Sequence, residues 1–223
     1  MKYIKSLISV SLLFAFIFSQ QVTTFGPTDL HNYPTTQFIS SSIAVDKSGN
    51  VFVINSREHQ ILKFTPDGDT SIFAGSYGVS GATDGTGTAA KFKDPNSIAI
   101  GSDGNFFVSD FGNNTIRKIT PEGIVTTFAG SGTAGSADGT GASASFNYPQ
   151  GLVVDSKNNI FVCDSENNLI RKVTSEGVVT TFAGSGALGS NDSATGTSAT
   201  FRYPSGITID SNDNLYISDY NNQ

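Results

Sequence analysis

The sequence has no tryptophan, one methionine, one cysteine and two histidines, and its 13 Lys and Arg are outnumbered by 19 Asp and Glu. Each shortage excludes something. A single cysteine, Cys163, excludes an intramolecular disulfide, so stability comes from packing. His31 and His59 are too few for a His-rich zinc centre. A net charge of −6 argues against nucleic acid as a partner, because phosphate recognition draws on Lys and Arg. There is no Gly-x-Ser-x-Gly elbow and no Cys/His pairing, which leaves nucleophilic catalysis without a carrier. The Gly-Thr-Gly segments are not followed by Gly-Lys-Ser or Gly-Lys-Thr, so they read as spacer loops rather than phosphate loops. With 24 glycines a helix bundle is disfavoured, since each Gly costs a helix about 1 kcal/mol relative to Ala.

What is present begins with a leader. Met1 to Ser19 joins Lys2 and Lys5 to an apolar stretch, Leu7 to Phe18, that ends at a small residue. This is the pattern of a signal peptide, and the stretch is shorter than the roughly 20 residues that span a bilayer. A secreted, extracellular protein with no membrane span in the mature chain is expected. Two sequons, at Asn113 and Asn191, are then candidates for glycosylation.

The rest of the chain repeats itself with a period of about 54 residues. Ser97-Ile98-Ala99-Ile100, Gly104-Asn105-Phe106-Phe107-Val108-Ser109-Asp110, Thr115-Ile116-Arg117-Lys118-Ile119 and Val125-Thr126-Thr127-Phe128-Ala129-Gly130 return as Leu152 to Asp155, Ile160 to Asp164, Leu169 to Thr174 and Val179 to Gly184. A more divergent copy runs from Ile43 to Gly75, and a fourth begins at Gly206. Each copy holds four short runs rich in β-branched and aromatic residues, separated by Gly, Asn, Asp and Pro turns, which predicts four antiparallel strands. Repeated units of this kind are the blades of a β-propeller. The expected organisation is a signal peptide over 1–19, an N-terminal strand over 22–25, blades at about 42–75, 97–130 and 151–184, and a partial blade at 206–223.

The recurring Pro-x-Gly, apolar run ending in Asp, Gly-Asn before an aromatic, Ser-Asp, Asn-Asn and Ile-Arg-Lys resemble the NHL repeat family. That resemblance implies an all-β, TolB-like propeller, usually six-bladed, whose members bind proteins, peptides, carbohydrate or RNA. Three full copies and part of a fourth make an incomplete ring. Further blades beyond Gln223, a dimer, or a piece of a larger surface protein would each complete it.

Asp110 and Arg117, like Asp164 and Arg171, stand seven residues apart across the second hairpin, whereas the first copy has Asn55 and Leu62 there. The two charges come and go together, which points to an ion pair within the blade. The link between blades and the turn between second and third strands emerge on one side of the blades. That side carries the long Gly-rich segments ending in Phe92, Phe146 and Phe201, each expected to hold a one-turn helix. Phe111, Asn113, Asn167, Asn168, Tyr148 and Tyr203 line it as a candidate binding face for a protein, peptide or carbohydrate. No cofactor is implied, and the Asp-x-x-x-Asn turns lack the ligand count of a calcium loop. The alternative is a hydrolase or lyase resembling propeller lactonases, with a metal in the channel.

Overall fold

The computed structural model describes residues 14–18, 21–25 and 40–222. Its strands are, in chain order, β1 (Phe14–Phe18), β2 (Gln21–Phe25), β3 (Ser40–Val45), β4 (Val51–Asn55), β5 (Gln60–Phe64), β6 (Thr70–Gly75), β7 (Gly85–Thr86), β8 (Pro95–Ile100), β9 (Phe106–Asp110), β10 (Thr115–Ile119), β11 (Ile124–Ala129), β12 (Gly139–Thr140), β13 (Pro149–Val154), β14 (Ile160–Asp164), β15 (Leu169–Val173), β16 (Val178–Ala183), β17 (Pro204–Ile209) and β18 (Leu215–Asp219). They form blade-like antiparallel sheets ordered β3-β4-β5-β6, β7-β11-β10-β9-β8, β12-β16-β15-β14-β13 and β17-β18. The fold is therefore all-β with propeller-type blades. The innermost strands β3, β8, β13 and β17 stand side by side. Most of the leader lies outside the described residues, and β2 pairs with β1 rather than with a blade.

The hairpin between the first two strands of a blade closes as the Asp and Asn content predicts. Asp46 Oδ1 accepts the Ser48 and Asn50 N–H groups at 2.9 and 2.8 Å, while Asn50 Nδ2 donates to Asp46 Oδ2 at 2.7 Å. Asp155 with Asn159 and Asp210 with Asn214 repeat the arrangement. Here the short polar side chain does the work of a backbone turn.

The second strands are apolar without alternation because both of their faces are buried. Phe106 and Val108 pack toward the first blade with Phe52, Ile54 and Ile61, and Phe107 packs toward the third with Leu152, Ile160 and Val162. Phe52, Phe73 and Phe106 form an aromatic cluster with centroids 4.3–5.1 Å apart. Burying each such ring contributes about 1.5–3 kcal/mol, so blade-to-blade packing is the main stabilising term.

The interblade segments differ from the expectation in one respect. They do not stay on one face. Gly85 and Thr86 descend along the rim and pair with Val125 and Ile124 at the far end of β11, and Gly87 N–H donates to Gly123 O at 2.9 Å. Gly139 and Thr140 do the same on β16. Adjacent blades diverge outward, and these two-residue strands with their one-turn 3-10 helices, Gly87–Ala89 and Gly141–Ser143, fill the wedge between them. The chain then returns inward through the fully buried Phe92 and Phe146. The threonines that precede the helices make no capping bond.

Candidate functional site

The ion pairs across the second hairpins are the best-defined polar features. Arg117 Nη1 is 2.8 Å from Asp110 Oδ2 and Arg171 Nη1 is 2.9 Å from Asp164 Oδ2, with all four side chains buried. Each guanidinium also reaches back to the incoming loop. Arg117 Nη2 donates to Asp84 Oδ1 at 2.7 Å and to Thr83 O at 3.1 Å, and Nη1 donates to Lys91 O at 2.9 Å. Arg171 treats Asp138, Ala137 O and Ser145 O alike. The guanidinium carbons lie 5.1 and 5.4 Å from the centroids of Phe92 and Phe146. A planar fork with five donors suits this multiple role, which Lys could not fill.

The carboxylates are as fully engaged. Asp110 also accepts from Lys93 N–H at 2.7 Å and Asn113 Nδ2 at 2.8 Å, and Asp164 accepts from Asn147 N–H and Asn167 Nδ2 at 2.7 and 2.8 Å. Burial pushes both carboxyls above the ordinary aspartate range, against the downward pull of these hydrogen bonds and of the arginines. Asp84, half-exposed, behaves the other way: burial raises it, but hydrogen bonds from Thr127 and Arg117 outweigh that and hold it below the usual value. With every oxygen of Asp110 and Asp164 turned inward, the repeated aspartates are architecture.

This changes the reading of the candidate face. Asn113 and Asn167 spend their amide nitrogens on those carboxylates and on Gly81 O and Gly135 O, at 2.6 and 2.8 Å. Asn168 Oδ1 accepts the Tyr203 N–H at 3.0 Å, and Asn114 Oδ1 accepts the Tyr148 N–H at 2.8 Å. The three asparagines expected to meet a ligand therefore hold the loops. For the same reason Asn113 offers no free amide to a glycan in the folded chain, while Asn191 stands exposed.

The aromatics remain. Phe111 and Tyr148 meet across two blades with centroids 4.8 Å apart and planes tilted by 42°, and Tyr148 keeps 42 % of its surface exposed. Tyr203 occupies the same register in the next blade and is half-buried. Both tyrosines have positive φ, 53° and 58°, although each precedes a proline, where large side chains normally take extended backbone. The clasp to Asn114 and Asn168, themselves left-handed at φ 54°, holds them there. In the first blade His59 and Asp94 make the equivalent clasp, His59 Nδ1 accepting the Asp94 N–H at 3.1 Å. The half-buried Asn96 and Gln150 follow the prolines at the start of β8 and β13, a pair of neutral amides that the sequence reading passed over.

Cys163 lies in β14 with no exposed surface, and burial, reinforced by Asp164 and Asp219, pushes its thiol up to about 12. It is a structural thiol. Among the described residues, no group of three or more His, Cys, Asp or Glu is placed to hold a metal ion, and no helix is long and apolar enough to cross a membrane.

Comparison with known proteins gives this geometry a context. The NHL repeat pattern matches residues 92–119, 146–173 and 201–223. NHL repeat-containing protein 2 of Homo sapiens is 30 % identical over 164 residues, which are 67 % of this chain and 23 % of that protein. The chain thus spans less than a quarter of that relative's length. Among solved structures, a Bacteroides thetaiotaomicron protein of unknown function superposes with a TM-score of 0.67 at 27 % identity, over 81 % of this chain and 44 % of that one. An auxiliary nutrient binding protein from the same species gives 0.65 at 21 % identity, over 81 % and 45 %.

Proposed function

We propose that this chain, a member of the NHL repeat family, is a secreted, non-catalytic binding module that holds a protein, peptide or carbohydrate on the face where its interblade loops return. The observation that carries this reading is the pair Tyr148 and Tyr203, held at the same register of successive blades in a backbone conformation costly for a large side chain. Strain of this kind costs on the order of 1–3 kcal/mol; Asp94 takes the same conformation before Pro95 at φ 49°, so the backbone is common to the links and the large aromatic side chain is what sets Tyr148 and Tyr203 apart. Asn or Gly would sit there without penalty, and what tyrosine adds is an aromatic surface at the rim. The buried carboxylates of Asp110 and Asp164 are committed to arginine and are not presented to a ligand on this face. Secretion rests on the leader, Met1 to Ser19.

The test is an array carrying glycans, peptides and extracellular protein domains, probed with the wild-type chain and with a Tyr148→Ala/Tyr203→Ala variant. The reading expects a ligand that the wild type retains and the variant loses. Retention by both would move the site off this face, and chemical conversion of the retained compound would make the protein an enzyme.

A further inference from the structure

We infer that the ligand of this face is a neutral oligosaccharide, lying across Phe111, Tyr148 and Tyr203 and hydrogen-bonded by Asn96 and Gln150. The inference rests on the binding-module reading and narrows it to one chemical class. Three features of the rim carry it.

The first is charge. None of the five side chains carries a formal charge, and the charged residues of the adjoining loops, Lys93, Asp94, Glu166 and Arg202, are two of each sign, so the rim offers no single-signed counter-charge to select an anionic or cationic ligand. A neutral polyol has no such need. The second is shape. Phe111 and Tyr148 meet at a tilt of 42° and leave Tyr148 well exposed, while Tyr203 repeats the position one blade on. Aromatic surfaces set at blade intervals can meet the C–H faces of successive sugar rings, with the neutral amides of Asn96 and Gln150 at the adjoining strand starts as donors and acceptors for hydroxyl groups.

The third is the state of the backbone. An extended peptide draws much of its affinity from main-chain hydrogen bonds. At this rim the main chain is already paired: Gly112 N–H donates to Lys93 O at 2.9 Å, Glu166 N–H to Asn147 O at 3.2 Å, Asn221 N–H to Arg202 O at 3.1 Å, and the Tyr148 and Tyr203 N–H groups to Asn114 and Asn168. Recognition falls to side chains, which suits a sugar better than an extended peptide.

The experiment titrates the whole chain with neutral hexasaccharides (cello-, laminari-, malto-, manno- and chito-series), with a heparin hexasaccharide and with a pool of extended peptides, by calorimetry. At least one neutral series should bind. Tyr148→Ala and Gln150→Ala should each weaken it at least tenfold, while Tyr148→Phe, which keeps the ring, should restore affinity to within a few-fold. Circular dichroism shows whether each variant is folded. Neutral binding that survives both alanine variants would place the sugar elsewhere and overturn the inference. Binding of only heparin or peptide, lost in Tyr148→Ala, would overturn the neutral-saccharide class and leave the binding face standing. No Tyr148-dependent binding to any probe would overturn both.

Discussion

Arg117 donates from one nitrogen to Asp110, 2.8 Å away in its own blade, and from the other to Asp84, 2.7 Å away in the loop that arrives from the preceding blade. One side chain therefore closes a hairpin and locks an interblade segment, and Arg171 does both again with Asp164 and Asp138. The Arg171 lock holds the segment from Ala137 to Ser145, which leads into Tyr148.

Removing one charge from the lock should cost far more than removing both. Arg117→Leu leaves Asp110 buried and unpaired, for which about 3–5 kcal/mol of lost stability is expected. Asp110→Asn/Arg117→Leu copies the natural Asn55 and Leu62 of the first blade and should lose markedly less. In the single variant the deficit should grow as pH rises through the carboxylate range, because a carboxyl already pushed up by burial must ionise without its partner. Urea denaturation of the three proteins at two pH values gives the coupling. Additive losses would show that the pair is not energetically linked.

The strain at the rim should be measurable as a trade between stability and binding. Tyr203→Asn places a side chain that tolerates left-handed backbone, so unfolding free energy should rise by about 1 kcal/mol while ligand affinity falls. Thermal unfolding and titration of the same preparations test this. A variant that is both less stable and equally competent in binding would remove tyrosine strain from the account.

Cys163 should be silent in the folded protein. Its thiol is pushed up to about 12 by burial, above an ordinary value of 9.0, so a thiol reagent at mildly alkaline pH should react at the rate of unfolding rather than of the free thiolate. The sign of its linkage is also fixed. The unfolded chain releases the proton first, so this group's contribution to stability is complete below the ordinary value and is lost as pH rises through it toward the raised one. Cys163→Ala, folded, should lack that alkaline loss. Fast stoichiometric labelling of native protein would contradict the burial.

Asp84 acts on the acid side. Its native value is depressed, so the stability it contributes is present above the unfolded value of 3.8 and fades as pH falls through that value toward the native one. The difference between wild type and Asp84→Asn should accordingly be constant near neutrality and shrink below that point. Chemical denaturation across the acid range checks it. A difference that widens with acid would mean that the carboxylate contributes nothing through Arg117.

Much of the architecture could be read from the residues. Runs such as Phe106-Phe107-Val108 and Ile160-Phe161-Val162 announce strands, and the joint loss of charge at Asn55 and Leu62 exposed the Asp110 to Arg117 pair. Other parts carried too weak a signal. Gly85-Thr86 and Gly139-Thr140 have no apolar alternation, so nothing marked them as strands. Asp84 lies 33 residues before its arginine, and only the shared Asp-Gly-Thr-Gly of two loops hinted at a role. Asn113, Asn167 and Asn168 looked like ligand contacts because asparagine is polar and turn-forming. The amide nitrogens of Asn113 and Asn167 and the amide oxygen of Asn168 are engaged locally, which only the path of the loops reveals.

Hydrogen exchange with and without the retained ligand tests the binding face most directly. The account predicts that slowed exchange is confined to the rim, over 111–114, 148–151 and 203–206, with the hairpin turns 46–50, 155–159 and 210–214 on the opposite face unchanged. Protection concentrated in those opposite turns, with the rim unaffected, would contradict it.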